Sequence, residues 1–390
     1  MLENKIFDNT EKAFALKSDS ELERAYFLFK MISKQPLVRI GTAVTRFALN
    51  ANLPVEKLIR ATVFDHFCGG VNEKDCMPVV DKMYDKNVHS VLDFSVEGKE
   101  KENQFDAALN RVLQITDFAR DKDAMPFSVF KPTGFGRFEI WRKVTENESL
   151  SSSEEKEWER IQQRFDKLCA KAKAYNVALL VDAEESWMQA AADALVTQMM
   201  EKYNTEKPVV YNTLQCYRWD RLDYLKKLHE HSKLKGFKLG VKIVRGAYME
   251  KERSRAEEMG YQSPICIDKS ETDAHFNAVM AYIFDNLDDI SVFVGSHNEE
   301  SNYLAIELME QKGIDVNDPR VWFGQLYGMS DHISFNLANQ GYNVAKYLPF
   351  GPVKDVMPYL IRRAEENTSV AGQTNRELTL LKQEKKWRAI

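Results

Sequence analysis

The apolar positions of this chain change their spacing near residue 87. Before that point apolar residues recur at intervals of three and four, as in Leu22, Ala25, Tyr26 and Phe29 and again in Val44, Phe47, Ala48, Leu58, Ile59 and Val63. This period is typical of helices that bury one face, and Pro36 and Pro54 interrupt it. The pattern predicts a helical N-terminal region over residues 1–86.

Beyond residue 87 the chain alternates short apolar runs with long helical segments. Eight runs rich in Val, Ile and Phe occur, at residues 88–94, 127–130, 177–181, 209–214, 238–244, 290–294, 321–323 and 343–348. Eight strands that alternate with helices predict an α/β fold, a (β/α)8 barrel of the TIM type, over residues 87–390. A doubly wound open sheet fits the same alternation and stays open as a second fold.

Composition limits the kinds of binding partner and metal site that we expect for this chain. The chain has 54 Lys+Arg against 59 Asp+Glu and a formal charge of -5. Without a basic surplus we expect no nucleic-acid partner. The five cysteines have no close pair at zinc spacing, so we expect reduced thiols and no metal site. The first thirty residues carry acids throughout and match neither a secretory signal nor a transit peptide, which favours a cytoplasmic location.

Polar residues stand at the ends of the predicted strands, where a barrel of this type has its active site. They are Lys131, Asp182, Glu184, Glu185, Gln215, Arg245, His297, Asn298, Gln325 and Tyr347. Loop solvation or helix capping explains any single one, but the set favours convergence on one face. Lys131 and Asp182 follow adjacent strands and are predicted to form an ion pair. A Schiff-base role for Lys131 is disfavoured, because that chemistry needs a neutral amine.

A last predicted helix follows the eighth strand. Tyr359, Arg362, Arg363 and Glu366 are spaced i, i+3, i+4 and i+7 and so share one helix face. Two guanidinium groups side by side can hold a carboxylate or phosphate. A solvent-exposed charged face explains the same pattern. The chain has neither G-x-G-x-x-G after a strand nor G-x-x-x-x-G-K-[ST], so a Rossmann site or P-loop is not indicated.

Seven motifs, taken together, match those of a known family. They are FSVFKPTGFGR around Lys131, LLVDAEES around Asp182, YNTLQCY around Gln215, KIVRGAYMEKER at 242–253, SHN at 296–298, FGQLYGMSD at 323–331 and KYLPFGPVKDVMPYLIRRAEEN at 346–367. With these motifs the chain resembles the proline dehydrogenase family, flavin-dependent barrels that also form a domain of bifunctional bacterial proline-utilisation proteins. The helical N-terminal part and the polar segment near Ser151 resemble the stand-alone, eukaryote-like members.

The resemblance implies an FAD enzyme of proline catabolism. It would oxidise L-proline to 1-pyrroline-5-carboxylate by hydride transfer from proline C5 to flavin N5, and pass the electrons to a membrane quinone. The implied catalytic residues are Asp182 and Lys242. The implied substrate-binding residues are Lys131, Tyr248, Leu326, Tyr347, Tyr359, Arg362 and Arg363. The implied flavin-binding residues are Gln215, Lys242, Val244, Arg245, Gly246, Ala247, Thr272, His297, Glu366 and Asn367.

The resemblance leaves some choices open. The bacterial pattern has Arg in place of Lys242 and Lys in place of Arg245, so either cation could contact the flavin. A hydroxyproline-preferring branch has a smaller residue in place of Tyr347, whose bulk here favours proline. A methylenetetrahydrofolate-reductase-like flavin barrel and a non-catalytic ligand-binding barrel stay open as competing hypotheses. The basic run at 381–388 is a candidate for peripheral membrane contact.

Overall fold

Eight parallel strands follow one another in chain order around a closed barrel in the computed structural model of the protein. The strands are β1 Val88–Phe94, β2 Phe127–Phe130, β3 Ala178–Val181, β4 Val210–Gln215, β5 Leu239–Val244, β6 Ile290–Gly295, β7 Val321–Leu326 and β8 Val344–Phe350. The (β/α)8 prediction is confirmed, and the open sheet is excluded because the strands close into a barrel.

The structure describes residues 5–34, 36–38, 41–43, 55–94, 100–369 and 371–390. Within these ranges, the side chains of residues 58, 61, 364–369 and 371–373 are not described. The predicted helical positions Val44, Phe47, Ala48 and Pro54 therefore lie outside the described residues, as does the side chain of Leu58.

Helices precede the barrel and alternate with its strands. Before β1 lie α1 Thr10–Ala13, α2 Asp19–Ile32, α3 Glu56–Ile59, α4 Asp65–Phe67 and α5 Glu73–Tyr84, with a π-helical segment at Arg60–Phe64. Between the strands lie α6 Glu102–Ala119, α7 Phe138–Thr145, α8 Ser152–Tyr175, α9 Ser186–Tyr203, α10 Arg221–Lys235, α11 Met249–Met259, α12 Lys269–Asp285, α13 Glu299–Gln311 and α14 Asp331–Asn339. After β8 come α15 Val353–Ser369 and α16 Ala371–Arg388.

The ends of six strands differ from the predicted runs, most of them by one or two residues, and β7 differs most. Strand β7 runs three residues further than its apolar run, so Gln325 lies inside the strand, and Tyr347 likewise lies within β8. Gly324 and Gln325 end the hydrophobic pattern but not the hydrogen-bonded strand. Helix α8 begins at Ser152, in the polar segment near Ser151. Ser151 is the N-cap, because it has the extended backbone a cap requires and exchanges hydrogen bonds with Glu154.

Contacts divide the chain into two compact units. The first comprises Met1–Val96, His297–Glu299 and Gly324–Ile390, and the second comprises Glu97–Ser296 and Glu300–Phe323. In the first unit a hydrophobic cluster joins α2 to α15 through Leu28, Ile32, Phe64, Phe67, Val356 and Leu360. A second cluster there packs Phe14, Leu22 and Phe29 against Leu380 and Leu381 of α16. The predicted division after residue 86 stays a prediction.

Candidate active site

Strand register brings three charged residues to one level of the second unit. Phe130 of β2 pairs with Val181 of β3, so Lys131 and Asp182 are the next residues of two neighbouring strands. On the other side of β4, Thr213 pairs with Lys242 of β5. Partner residues of parallel strands point to the same face of a sheet. The side chains of Lys131, Asp182 and Lys242 are therefore brought together by the register itself.

Asp182 accepts hydrogen bonds from both lysines. Lys131 Nζ lies 2.7 Å from Asp182 Oδ2 and Lys242 Nζ lies 2.5 Å from Asp182 Oδ1. The ion pair predicted between Lys131 and Asp182 is confirmed, and Lys242 completes a three-membered cluster. Its side chains are 24% exposed at Lys131, 15% at Asp182 and 5% at Lys242, so Lys131 is the most accessible member.

The Lys131–Asp182–Lys242 cluster carries a net positive charge. Burial alone would raise the pKa of the Asp182 carboxyl, but the two ammonium groups outweigh burial and lower that pKa to about 2. Asp182 is therefore ionised at neutral pH. Since one carboxylate faces two ammonium groups, the three side chains together are cationic. Such a cluster favours an anionic group placed next to it.

Glu184 holds the segment that follows β2. Its carboxylate accepts hydrogen bonds from Thr133 N at 2.9 Å and from Thr133 Oγ1 at 2.7 Å. Its own backbone N donates to Gln189 Oε1. Burial raises the pKa of Glu184 to about 7, with the hydrogen bonds from Thr133 opposing that effect. The sequence pattern places Glu184 at a strand end but has no signal that identifies Thr133 as its partner.

Among the predicted flavin-binding residues, Gln215 has the structural feature that most favours contact with a bound cofactor. It ends β4, two residues beyond Thr213, and is 3% exposed. Its Oε1 is buried and has no hydrogen-bond partner among the described residues. A buried acceptor of this kind is costly unless something else donates to it. A flavin ring with its N–H group would supply such a donor, so the site fits the group that the resemblance implies.

The two candidate cations of β5 contact different partners. Lys242 contacts Asp182, whereas Arg245 Nε donates to Asp273 Oδ1 at 2.7 Å. The Arg245 guanidinium also donates to Ser296 and Ser301 and lies 4.6 Å from the centre of the Phe276 ring. The structure thus separates Arg245 from the Lys131–Asp182–Lys242 cluster.

The Gly246–Tyr248 turn has a fixed shape. Gly246 has φ +136°, and a Cβ there would lie 2.5 Å from the Tyr217 ring, so the position requires glycine. Tyr248 is the N-cap residue of α11. Further along α11, the buried Glu252 carboxylate accepts from the backbone N and hydroxyl of Ser186 at the start of α9. This contact ties the turn that carries Tyr248 to the segment after Asp182.

The remaining flavin residues of the second unit are less informative. Val244 ends β5 and pairs with Gln215, and Ala247 lies in the exposed part of the turn. Thr272 lies in the first turn of α12, where its hydroxyl donates to the Asp268 carbonyl. That bond is local to the helix. Among the described residues, Thr272 makes no contact with the Lys131–Asp182–Lys242 cluster.

The first unit holds the predicted aromatic and arginine residues. Tyr347 lies within β8 and is 8% exposed, and Tyr359 on α15 is 6% exposed. The Arg363 guanidinium lies 5.2 Å from the centre of the Tyr359 ring, which confirms that these residues share one helix face. Arg363 is buried, while Arg362 is half-buried. The side chains of Glu366 and Asn367 lie outside the described residues.

Leu326 and His297 belong to the same unit. Leu326 ends β7 and packs against the cluster that contains Tyr359. His297 Nδ1 lies 2.9 Å from Ser330 Oγ, in the segment after Leu326. Two charged residues to which the sequence pattern assigns no role are buried nearby, Asp331 and Lys346, whose oxygen and nitrogen atoms lie 2.8 Å apart. The sequence signal that could have identified this pair is Lys346, a lysine within the apolar run of β8.

A closed parallel barrel with charged side chains at the carboxyl ends of its strands defines a (β/α)8-barrel enzyme. Comparison with known proteins gives the particular family. The family model described as "Proline dehydrogenase" matches residues 76–376, and the chain belongs to that family. It is an oxidoreductase, and proline oxidation, the first step of proline catabolism, is the activity of the family. A flavin cofactor is general among its members.

Individual relatives and a solved structure are similar to this chain over most of its length. The chain is 36% identical to the carbapenem antibiotics biosynthesis protein CarD of Pectobacterium carotovorum subsp. carotovorum, over 82% of each chain. It is 31% identical to the mitochondrial proline dehydrogenase 1 of Dictyostelium discoideum, over 99% of this chain and 75% of the relative. Proline utilization A from Bdellovibrio bacteriovorus has a similar fold, with a TM-score of 0.72 at 20% identity over 92% of this chain, which spans 38% of that longer chain.

Proposed function

We propose that this chain oxidises L-proline to 1-pyrroline-5-carboxylate with FAD as cofactor and a quinone as electron acceptor. The observation that carries the proposal is the buried Lys131–Asp182–Lys242 cluster at the ends of β2, β3 and β5. Two ammonium groups held at one place suit a reaction in which both the substrate carboxylate and the reduced cofactor are anionic.

Asp182 keeps both lysines in the role of cations. A carboxylate at hydrogen-bond distance favours the protonated form of each ammonium group, so neither amine is available as a nucleophile. Lys131 is the more exposed of the two and would present its charge to the substrate carboxylate. Lys242 is almost fully buried and would present its charge to the flavin ring. The same carboxylate fixes the position of both nitrogen atoms.

FAD, when bound, would supply the electron acceptor, taking a hydride from proline C5 at its N5. We assign the binding of this group to Gln215, Val244, Gly246, Ala247 and Thr272, with Arg245 supporting the turn through Asp273. His297, Glu366 and Asn367 of the first unit are assigned to the same cofactor by the resemblance. The buried Gln215 Oε1, to which none of the described residues donates, is the structural observation that supports the assignment.

The chain's own residues would bind and orient proline. The resemblance assigns the carboxylate to Arg362 and Arg363, and the walls of the pyrrolidine site to Leu326, Tyr347, Tyr359 and Tyr248. Arg363 is held beside Tyr359 by a cation–π contact, so part of its position is set before substrate arrives. Positioning of a reactant in this way can lower a barrier by about 7 to 11 kcal/mol.

The acceptor is proposed to be a membrane quinone reached by peripheral contact from the cytoplasmic side. Among the described residues, no helix has both the length and the apolar content needed to cross a membrane. In the basic run at 381–388, Lys385 pairs with Glu23 and Arg388 pairs with Glu384. Lys382, Lys386 and Trp387 are the residues of this run that could meet a lipid surface.

A visible absorbance spectrum followed by anaerobic addition of L-proline tests the proposal. We expect oxidised-flavin bands that bleach with proline. Asp182→Asn should retain flavin but bleach at least about 100-fold more slowly, because it unbalances the cluster. Asp166→Asn is the matched control, since Asp166 pairs with Lys202 on the surface. Bleaching by hydroxyproline or NAD(P)H alone, or no bands after reconstitution with FAD, would contradict the proposal.

A further inference from the structure

The segment at 327–330, which joins β7 to α14, has an unusual backbone. Ser330 is a buried non-glycine residue with φ +50° and ψ +43°. Gly328 has φ +77°, and a Cβ there would clash with the carbonyl oxygen of His66. A left-handed conformation at a side-chain-bearing residue persists only where the surroundings enforce it. The contacts of this 327–330 loop identify what enforces it.

Buried polar groups from four other parts of the first unit hold the loop. Lys346 Nζ of β8 donates to the Met329 carbonyl at 2.7 Å, and His66 Nε2 lies 3.0 Å from the Gly328 carbonyl. His297 Nδ1 contacts the Ser330 hydroxyl. The backbone N of Ser330 donates to Glu377 Oε1 of α16 at 2.5 Å. Each contact fixes backbone or side-chain atoms within four consecutive residues.

Several buried charged groups lie beside Glu377 and the 327–330 loop. Lys346 is fully buried, and Lys17 Nζ lies 3.0 Å from the same Asp331 carboxylate that pairs with Lys346. Two cations thus share one carboxylate beside the loop, and Glu377 is a second carboxyl group that faces them, with His332 Nδ1 3.8 Å away. A buried cation without sufficient counter-charge is costly. Burial raises the pKa of Glu377, and His332 and Lys346 oppose that effect; in either protonation state Glu377 Oε1 can accept from the Ser330 backbone.

We propose that Glu377 is a positioning residue, which holds the 327–330 loop so that Leu326 and His297 keep their places. The inference rests on the proposed function for its effect on turnover, because Leu326 and His297 are assigned there to proline and FAD. Glu377 lies just beyond the residues that the family model matches, and Lys17 lies before them. The terminal segments of this chain would thus shape a loop of the barrel.

The experiment compares Glu377→Met, Glu377→Gln and Glu384→Gln in the full-length, FAD-loaded protein. Methionine cannot accept from Ser330, whereas the amide oxygen of glutamine can. Glu384 is the matched control, because it is a buried carboxyl on the same helix whose ion pair is with Arg388. The readouts are amide hydrogen exchange over 326–332, kcat and KM for proline with a soluble quinone, and urea unfolding.

We expect Glu377→Met to speed exchange in the loop and to lower kcat/KM, each by about tenfold, in line with one lost hydrogen bond to a charged group. Glu377→Gln should stay within about threefold of the wild-type protein in exchange, and Glu384→Gln within about threefold in both readouts, whatever its overall stability. Unchanged exchange in Glu377→Met, or equal acceleration in Glu384→Gln, would overturn the inference.

A variant that fails to fold does not remove the test. If Glu377→Met does not fold, hydrogen exchange of the wild-type protein is measured instead. The inference then requires that the Ser330 amide exchange as slowly as the buried amides of α16. Exchange as fast as in the largely exposed 146–151 segment would overturn the inference. If the wild-type protein neither bleaches nor turns over proline, the proposed function fails, and the exchange measurement still decides the role of Glu377.

Discussion

Lys242 donates a hydrogen bond to Asp182 across strand β4, with 2.5 Å between the nitrogen and the oxygen. Strand β4 lies between the two strands that carry these residues, so the contact crosses β4 on one face of the sheet. The other oxygen of the same carboxylate accepts a hydrogen bond from Lys131 Nζ. The proposed role of the cluster depends on this shared carboxylate, because it holds both cations in place.

Asp182→Asn should therefore lower the free energy of unfolding more than the loss of an exposed ion pair does. It removes the carboxylate that two largely buried ammonium groups share, and breaking a buried pair from one side costs about 3 to 5 kcal/mol. We expect the free energy of unfolding to fall by that amount in urea titrations at pH 7.

Asp166→Asn is the control for removal of an aspartate that pairs with a lysine. Its carboxylate is 41% exposed and pairs with a lysine that is 55% exposed, so we expect a change within about 1 kcal/mol. Equal losses in the two variants would show that Asp182 is not a buried counter-ion and would remove the basis for the charge argument.

The sequence predicted the strands well and the contacts between them only in part. The apolar runs located all eight strands, because strands buried on both faces read as continuous apolar segments. The largest exception was the end of β7, where Gly324 and Gln325 interrupt the apolar run but remain in the sheet, and Gln215 likewise belongs to β4. Polar residues inside a strand look like a loop when only hydrophobicity is read.

Among the site residues, adjacency in the chain order of strands was enough to predict Lys131 with Asp182. It was not enough for Lys242, because that contact crosses a strand and depends on side-chain length. Lys242 and Arg245 also could not be told apart from sequence, since both are cations near the end of β5. The structure separates them through Asp273, an acceptor on α12 that no spacing rule links to β5.

The Glu184 carboxyl predicts a pH-dependent contribution to stability. Its pKa is raised from 4.5 to about 7 by burial, so between these values the folded protein binds more protons at this site than the unfolded chain does. Stability therefore falls as pH rises from about 4.5 to about 7, by roughly 3 kcal/mol, and is flat above. Glu184→Gln, which cannot ionise, should lack this fall in urea titrations at pH 5 and pH 8.

The neighbouring Glu185→Gln is the control for that measurement. Glu185 pairs with Lys251, whose side chain is 66% exposed, so the pair lies at the solvent boundary. We expect this variant to keep most of the wild-type difference between pH 5 and pH 8, because burial and not the Glu185 charge is the main cause of the raised Glu184 pKa. A wild-type protein whose stability at the two pH values differs no more than that of Glu184→Gln would contradict the assignment.

Gln215→Met should separate cofactor binding from folding. Because none of the described residues donates to Gln215 Oε1, replacing it should leave the stability of the apoprotein within about 1 kcal/mol. Loss of the acceptor offered to the flavin should raise the Kd for FAD about tenfold, measured by quenching of flavin fluorescence.

Gln325→Met provides the opposite case. Gln325 is equally buried, but its Oε1 accepts from Ser334 Oγ at 2.8 Å, so its loss should destabilise the apoprotein by about 1 to 3 kcal/mol. If Gln215→Met destabilised the apoprotein as much and left the Kd for FAD unchanged, Gln215 would be a structural residue and not a cofactor ligand.

Tyr347 should determine the preference between proline and 4-hydroxyproline. Its ring is buried within β8, and its bulk would crowd a hydroxyl group on the pyrrolidine ring. Tyr347→Ser removes that bulk, so we expect the ratio of kcat/KM for hydroxyproline to that for proline to rise by about 10-fold or more, the usual effect of one small group in a packed site. Tyr347→Phe keeps the ring and should leave the ratio near its wild-type value, which separates bulk from the phenol hydroxyl. A ratio that rises equally in both variants would assign the discrimination to the hydroxyl group, and a ratio that moves in neither would place Tyr347 outside the substrate site.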